Sequence, residues 1–432
     1  MNRSISAVLI GTFTLRFSTG LTGALLIYYL VELPDHGGQK ADPITLSFLT
    51  AAFFVSELCL SPLFGLLSDR LGHHRVMQFG PVFGFVAVIL TGLTTNLWLL
   101  GSTRFLEGAS TAASVPSILG FLAMATAGDE ALRGRTSARF EAATIAGLGA
   151  GFAAAGPLWK IFGPVGFFLN AAIYLVSLLI YRYRVAAPDA PAGPGRKPGY
   201  GLDRYVKLLT KSHVWLLAPT WIAINGALGL YTSQTLFQLI NKRDPRFSDQ
   251  LLVGGFDPLL VTGGFLVAGA VFFAGLVWWG NRFKLYRRTT IIFMGIVGGA
   301  ILVLSALLLN HSGGGSDLLK IPPAIGLGIG LFILAGATPA ALGLLADISE
   351  AFPDDRGAIM GLYSVFLAVG QIIGAFIGGL AAERWALDGI LLATFVLMGI
   401  ALVPLARLRR FEFRFASSPD VGPSVELMET GT

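Results

Sequence analysis

The sequence is poor in charged residues and almost without cysteine. Asp, Glu, Lys and Arg make up 13 % of the 432 residues, against roughly 25 % in soluble domains. Cys59 is the only cysteine, which excludes an intrachain disulfide and argues against a thiolate metal site. The five histidines stand at scattered positions near predicted helix ends or in loops. We therefore expect no metal and no cofactor.

Motifs of catalysis are also missing. The chain has no Gly-x-x-x-x-Gly-Lys loop for phosphate and no nucleophile placed with a histidine in a known pattern. The net charge of +6, from 31 basic and 25 acidic residues, would suit nucleic acid in a soluble protein. Here it has another source, because Arg and Lys crowd the loops on one side of a membrane. We predict neither an enzyme nor a nucleic-acid partner.

Long apolar runs dominate what is present. Apolar residues make up 54 % of the chain and the mean hydropathy is +0.71. Runs of about 20 apolar residues without alternation form membrane-spanning helices. We predict an all-α membrane protein with twelve transmembrane helices in two pseudo-symmetric six-helix bundles. The predicted spans are 5–31, 44–68, 76–95, 98–126, 136–158, 164–181, 213–239, 258–280, 289–309, 321–346, 357–381 and 388–406.

The distribution of basic residues predicts the orientation. With both termini cytoplasmic, most Arg and Lys fall on the inner side of a plasma or bacterial inner membrane. A Pro/Gly-rich stretch at 188–198 separates the bundles, and 202–211 is either a basic helix on the membrane surface or a solvated connector. The predicted domains are an N-terminal bundle 1–184, a cytoplasmic linker 185–211, a C-terminal bundle 212–408 and a cytoplasmic tail 409–432.

The second half repeats the first at an offset of 223 residues. The offset carries Arg133 and Gly134 onto Arg356 and Gly357, and Gly151 onto Gly374. Glycines spaced three to five residues apart allow helix backbones to approach closely. We expect close helix packing at Gly147, Gly151 and Gly156 and at Gly370, Gly374 and Gly379.

Three motifs lie at matching places in the predicted helices. The loop Gly65-x-x-x-Asp69-Arg70-x-Gly72-x-x-Arg75 resembles the signature loop between the second and third helices of major facilitator superfamily transporters. Arg104-x-x-Glu107-Gly108 resembles the family's fourth-helix motif, with Glu in place of Gln. Gly156-Pro157 resembles the fifth-helix motif of its antiporters, without the usual Gly-Gly after it. The resemblance implies a drug:proton antiporter-like secondary transporter that works by alternating access.

The resemblance also implies a cytoplasmic gate. Asp69 would accept hydrogen bonds at the start of the eleventh helix, where the helix dipole favours a carboxylate. Arg70 and Arg75 would reach acidic residues at the end of the fourth span. Arg139 and Glu141 are interpreted as further partners of the gate. The predicted gate residues are Gly65, Asp69, Arg70, Gly72, Arg75, Asp129, Glu130, Arg139, Glu141, Arg356 and Gly357.

Four charged residues fall at mid-depth: Arg16, Glu57, Arg104 and Glu107. An unpaired ion there costs at least about 2.5–3.5 kcal/mol, so these groups must face a cavity or each other. We interpret them as proton-coupling residues. An alternative for Arg16 and Glu57 is an inert ion pair that holds the first two spans together.

Polar stripes on the same helices predict a central substrate cavity. Its predicted lining is Thr12, Arg16, Thr19, Glu57, Glu107, Thr111, Asn225, Tyr231, Gln234, Tyr363 and Gln371. We expect a monomeric, proton-coupled exporter of a small amphipathic organic solute, embedded in the lipid bilayer. Uptake of an organic anion, with Arg16 and Arg104 as countercharges, is a second hypothesis. A membrane receptor is a third and less favoured one.

Overall fold

The computed structural model describes residues 3–126, 130–186, 214–280, 282, 285–313, 317–350 and 356–416, and within them all regular structure is helical. The first half comprises α1 Arg3–Glu32, α2 Pro43–Leu71, α3 Phe79–Leu93, α4 Leu97–Ala125, α5 Glu130–Phe162 and α6 Val165–Arg184. The second begins with α7 Val214–Ile240, α8 Pro258–Gly280 and α9 Arg288–Asn310. α10 has two pieces, Asp317–Leu334 and Ala337–Glu350, and the stretch Arg356–Ala416 follows.

The helices make twelve crossings, as predicted. Ten described segments are long and apolar enough to cross a membrane. The last of them contains non-helical backbone at Trp385 and at Ala386, where φ is +47°, and is therefore two helices, α11 at 356–384 and α12 at 387–416. Helix α7 adds 27 residues, which is about 40 Å at 1.5 Å per residue.

Several boundaries differ from the predicted spans. α10 is interrupted at 335–336, because Pro339 has no N–H to donate to the carbonyl four residues earlier. α5 starts at Glu130, and the last helical stretch continues to Ala416, beyond the predicted end of the bundle at 408. The predicted surface helix at 202–211 lies outside the described residues.

The repeated glycines lie at helix crossings, which confirms the predicted close packing. A Cβ on Gly151 of α5 would fall on the carbonyl oxygen of Phe17 in α1, and one on Gly374 of α11 would fall on that of Gly226 in α7. At the next positions, Gly156 approaches the Pro258 carbonyl of α8. Its repeat, Gly379, approaches the Pro43 carbonyl of α2 in the same way. Each half thus contributes one helix that packs on both halves.

Adding one methyl group at such a crossing has a predictable effect. We expect Gly151→Ala to destabilise the protein by about 1–3 kcal/mol, because two helix backbones must move apart. A methyl group on Gly149, in the same helix, would meet no atom of another helix within 4 Å. Gly149→Ala is therefore the matched control, expected to be neutral or slightly stabilising because alanine favours helix. Thermal unfolding in detergent measures both, and equal effects of the two substitutions would contradict this packing.

The helix bundle has two ends. We call the end where α1 begins and where α2 and α6 finish the terminal side. The other end, which carries the loops 33–42, 94–96, 163–164 and 241–257, is the far side.

The halves are fastened to each other at the far side. The Ser47 hydroxyl of α2 donates to the Ala375 carbonyl of α11 at 2.6 Å. The Gln234 amide of α7 donates to the Pro43 carbonyl at 3.0 Å and to the Ser47 hydroxyl at 3.1 Å. Phe48 meets Phe376 edge to face, with 5.1 Å between ring centroids. The far side is therefore closed in this conformation.

Candidate functional site

The strongest polar feature in the membrane interior is an ion pair inside the first half. Arg104 and Glu107 lie one turn apart on α4, and the guanidinium donates to Oε2 of the carboxylate. Glu107 is 1 % exposed and Arg104 9 %. The guanidinium also lies over the Phe53 ring of α2, 4.8 Å from its centroid, a cation–π contact that is strengthened away from water. The predicted partners are thus brought together.

The other carboxylate oxygen of Glu107 has a different environment. Oε1 is buried, and no group among the described residues completes a hydrogen bond to it. The Thr22 hydroxyl of α1 and the Tyr174 hydroxyl of α6 lie beside this carboxylate. The Asn170 amide of α6 donates to Thr22 Oγ1 at 2.8 Å and to the Ser18 carbonyl at 3.0 Å. One oxygen of Glu107 is therefore held by a cation, and the other is available to a proton.

Arg16 lies at the meeting point of four helices rather than in a closed pair. It donates to Thr111 Oγ1 of α4 at 3.5 Å, and its β-carbon packs against Gly147 of α5. Its charge acts on Glu57 of α2 and on Glu141 of α5. No Arg16–Glu57 ion pair within 4 Å is present among the described residues. Glu141, interpreted from sequence as a gate residue, also lies within the influence of the Arg16 charge, and its part in the gate stays a prediction.

The positions of Glu57 and Arg16 along their helices agree with the predicted mid-depth placement. Glu57 lies at the middle of Pro43–Leu71, and Arg16 lies close to the middle of Arg3–Glu32. Both side chains are only half-buried, whereas Glu107 is enclosed. The charged group therefore has an accessible part, formed by Arg16, Glu57 and Glu141, and an enclosed part, formed by Arg104 and Glu107.

Several residues assigned to the cavity pack between helices. Gln234 is fully buried and belongs to the far-side closure described above. Asn225 donates to the Trp221 carbonyl of its own helix at 2.9 Å, and Gln371 accepts from Thr232 at 3.2 Å. Thr12 faces Tyr181 of α6. Gln234 and Gln371 bond to neighbouring helices and Asn225 bonds to its own, because unpaired polar groups are costly in the membrane.

The other residues assigned to the cavity differ in their surroundings. Thr19 is buried beside the Tyr174 hydroxyl, 3.5 Å away, and Thr111 is buried beside Arg16. Tyr231 is half-buried beside Thr394 of α12. Tyr363 is placed on α11 by its backbone alone, so its part in the cavity stays a prediction.

The gate also stays a prediction. Asp129 lies outside the described residues, and Asp69, Glu130, Arg356 and Gly357 are placed only by their helix backbones. Arg70, Arg75 and Arg139 are exposed. Gly72 has φ of +92° at the end of α2, a conformation that favours glycine. Gly65 lies next to Pro116 of α4, where a Cβ would make an ordinary contact at 3.8 Å.

A polar stripe on α6 was not predicted from the sequence. The spacing of four, three and four residues places it on one face of the helix, and this face contacts α1 through hydrogen bonds to Thr22, Ser18 and Gly11. The spacing is visible in the sequence, but uncharged residues carry less weight than mid-depth charges. The stripe consists of Asn170, Tyr174, Ser177 and Tyr181, all fully buried.

An ion pair also joins the halves at the far side. Lys160 at the end of α5 lies 2.6 Å from Asp257, which precedes α8. The hydrogen bond from Lys160 lowers the pKa of Asp257, with help from the Leu259 backbone N–H. This contact is present at neutral pH and is lost as the pH falls through the lowered pKa. Both side chains are about half exposed, so the pair contributes little to closure.

The buried closure can be tested by Gln234→Leu, which removes two hydrogen bonds between the halves. At about 0.6 kcal/mol for each bond in a membrane protein, we expect a shift of roughly sevenfold toward far-side opening. Spin labels at the exposed positions Lys40 and Arg246, in a Cys59→Ser background, report the distance across the far side. Ser102→Ala is the control, because that hydroxyl bonds only to its own helix at the Trp98 carbonyl. An unchanged distance distribution in Gln234→Leu would show that these bonds do not hold the far side closed.

Two matched six-helix halves around ionisable residues at mid-depth are the architecture of a membrane transporter. Residues 8–348, well over half of the chain, match the Major Facilitator Superfamily. The chain belongs to this family, and it is a multi-pass membrane transporter, not an enzyme.

Similar proteins include bacterial drug-resistance proteins. The chain is 23 % identical over 384 residues to the quinolone resistance protein NorA of Staphylococcus aureus, covering 88 % of this chain and 90 % of NorA. It is 25 % identical over 348 residues to multidrug resistance protein 1 of Bacillus subtilis, covering 77 % of this chain and 79 % of that protein. The crystal structure of the nucleoside transporter NupG matches with a TM-score of 0.67 and 14 % identity, over 95 % of this chain and 99 % of NupG. The last likeness shows the fold alone.

Proposed function

We propose that the protein is a proton-coupled exporter of a small, amphipathic organic cation. The observation that carries the proposal is the enclosed Arg104–Glu107 pair, in which one carboxylate oxygen is bound to the guanidinium and the other is unpartnered. A carboxylate in this position has two stable states. It is either ionised and paired with Arg104, or protonated when the pairing weakens.

The sign of the charged group favours a cationic solute. Two arginines, Arg16 and Arg104, stand against three glutamates, Glu57, Glu107 and Glu141, which leaves a formal charge of −1. Uptake of an organic anion would require an excess of positive charge. The half-buried Glu57 and Arg16 lie in the accessible part of the group, so the solute would meet Glu57 and also Phe54, which lies one helical turn away on α2.

Coupling follows from competition between the cation and the proton. A cation bound near Glu57 adds positive charge to the group, so the bound cation and a proton on Glu107 disfavour each other. Release of the cation removes this repulsion. Alternating access then carries the solute in one direction and the proton in the other. The similarity to drug-resistance proteins such as NorA is consistent with export.

The proposal includes the orientation and the predicted domains. Both termini are cytoplasmic in a bacterial inner or plasma membrane, and the protein is a monomer. The terminal side is then the cytoplasmic side, and the structure, closed at the far side, takes up solute from the cytoplasm. The bundles 1–184 and 212–408 move against each other about the glycine crossings.

Proteoliposomes with an acidic lumen test the function. We expect the wild-type protein to accumulate ethidium, a planar aromatic cation, in the lumen as protons leave, and to stop when the gradient is collapsed. An organic anion that accumulates when the outside is made acidic would support uptake instead. Ethidium movement equal to that of protein-free liposomes, with or without a gradient, would contradict the proposal.

A further inference from the structure

A column of buried hydroxyl groups runs along the contact between α1 and α6, from Glu107 toward the terminal side. We call it the α1–α6 seam. Its members on α6 are the stripe residues Tyr174, Ser177 and Tyr181, and on α1 they are Thr22, Thr19 and Thr12. α1 and α6 are antiparallel, so residue numbers fall on one helix as they rise on the other. On each helix, successive hydroxyl groups therefore lie one to two helical turns closer to the terminal side.

The contacts along the seam are close. Thr22 lies beside the Glu107 carboxylate, and Tyr174 lies beside both Thr22 and Thr19. Ser177 donates to the Gly11 carbonyl at 3.0 Å. The Tyr181 hydroxyl lies between Ser177 and Thr12 and completes no hydrogen bond with any group in the described part of the chain.

Unpartnered buried atoms mark the seam as a place for water. They are Glu107 Oε1, Asn170 Oδ1, Ser18 Oγ and Tyr181 Oη. Buried polar atoms in proteins are nearly always satisfied, and where no protein group does so an internal water does. Glu107 Oε1 and Tyr181 Oη lie at the two ends of the seam, so internal water at these points would join its hydroxyl groups.

The lower end of the seam meets the accessible charges. The charge of Arg16 acts on the Tyr181 hydroxyl, on Glu57 and on the exposed Glu141. The upper end stops at Glu107, whose facing charged and titratable groups are Arg104 from α4 and Tyr174 from α6. The seam thus joins the enclosed carboxylate to the accessible charges without crossing the space between the halves.

We infer that the α1–α6 seam, with internal water between its hydroxyls, carries the coupling proton between Glu107 and the terminal side, on a path separate from the solute. The inference rests on the proposed proton coupling and adds the route. In discharge, the proton leaves Glu107 Oε1 for a neighbouring hydroxyl oxygen or water, and each group gives its own proton to the next. The last proton enters water beside Glu141, and Glu107 remains as a carboxylate paired with Arg104. The hydroxyls then rotate back, with no net change in charge or oxidation state.

A separate route has a functional consequence. If proton and solute shared one path, a bound solute would block the exchange of protons with the cytoplasm. Through the seam, Glu107 can release its proton while a solute occupies the space near Glu57. Binding of the solute would then speed proton release, and the solute could bind before the proton has left.

The test removes hydroxyl groups and keeps the rings. We expect Tyr181→Phe and Tyr174→Phe to slow proton-driven ethidium transport in proteoliposomes by about tenfold or more, because a relay group for proton transfer is lost. Exchange of ethidium for ethidium at equal pH on both sides needs no proton and should stay at the wild-type rate. Ser177→Ala should act in the same direction. Tyr29→Phe is the matched control, since its buried hydroxyl bonds to the Thr94 carbonyl on the far side, away from the seam.

The outcomes separate the route from the function. Proton-driven transport at the wild-type rate in both tyrosine variants would overturn the route and leave the proposed function intact. Equal loss of driven transport and exchange would also overturn it, because the seam would then serve only to hold α1 and α6 together. A wild-type protein that shows no response to a pH gradient would defeat the proposed function itself.

Discussion

Replacing Glu107 with glutamine is expected to abolish proton-driven transport and to leave a folded protein. The amide cannot take up or release a proton. Glutamine is also the usual residue at this position of the fourth-helix motif that the chain resembles. We expect gradient-driven ethidium accumulation to fall by at least about 100-fold, the scale of a lost proton-transfer group. Ethidium exchange at equal pH should persist, since it needs only the solute-loaded protein to change conformation.

The same assay decides between the mid-depth carboxylates. Glu57→Gln is expected to weaken both driven transport and exchange, because Glu57 is half-buried and accessible to the solute. Asp317→Asn is the control for loss of a carboxylate, since Asp317 pairs with Lys320 on the exposed far side, away from the mid-depth charges. Driven transport at the wild-type rate in Glu107→Gln and in Glu57→Gln together would show that neither residue takes part in coupling.

Removing the cation from the enclosed pair should have the largest effect on stability. Arg104→Leu leaves the Glu107 carboxylate, 1 % exposed, without its countercharge. Breaking a buried ion pair in this way costs about 3–5 kcal/mol. We expect the midpoint of thermal unfolding in detergent to fall markedly, and more at alkaline pH, where protonation cannot relieve the isolated carboxylate.

A double substitution provides the control for this effect. Arg104→Leu combined with Glu107→Leu replaces the pair with apolar groups, a change that is often neutral or stabilising in buried sites. The double variant should recover most of the lost stability while remaining inactive in driven transport. If the single and double variants are equally destabilised, the damage comes from packing against Phe53 and not from the isolated charge.

The fold could be predicted from the sequence because a membrane constrains the length and the apolar character of each spanning segment. Both can be followed directly along the chain. An apolar run of about 20 residues must be a helix, and eleven of the predicted spans coincide with single described helices. The interruption of α10 before Pro339 was missed, although a proline inside a span is a known cause of such breaks. The glycine repeat was informative because Gly151 and Gly374 make the same backbone contact in the two halves.

The site was predicted only in part, because the direction in which a side chain points from its helix is harder to infer than its depth in the membrane. Arg104 and Glu107 are on one helix three residues apart, and their pairing follows from spacing alone. The partner of Arg16 depends on how four helices rotate, so the side chain lies between Glu57 and Glu141 instead of in one closed pair. Gln234 was assigned to the cavity, but its amide fastens α7 to α2. Uncharged polar residues serve equally in cavities and helix contacts, and the sequence does not separate the two.

The most direct test of the account is the proton flux that accompanies the solute. Proteoliposomes loaded with a pH-sensitive dye and prepared without a pH gradient are mixed with ethidium. Exchange of ethidium for protons predicts that the lumen becomes alkaline with the wild-type protein and stays unchanged with Glu107→Gln. Entry of ethidium through the wild-type protein without any change in lumenal pH would contradict it.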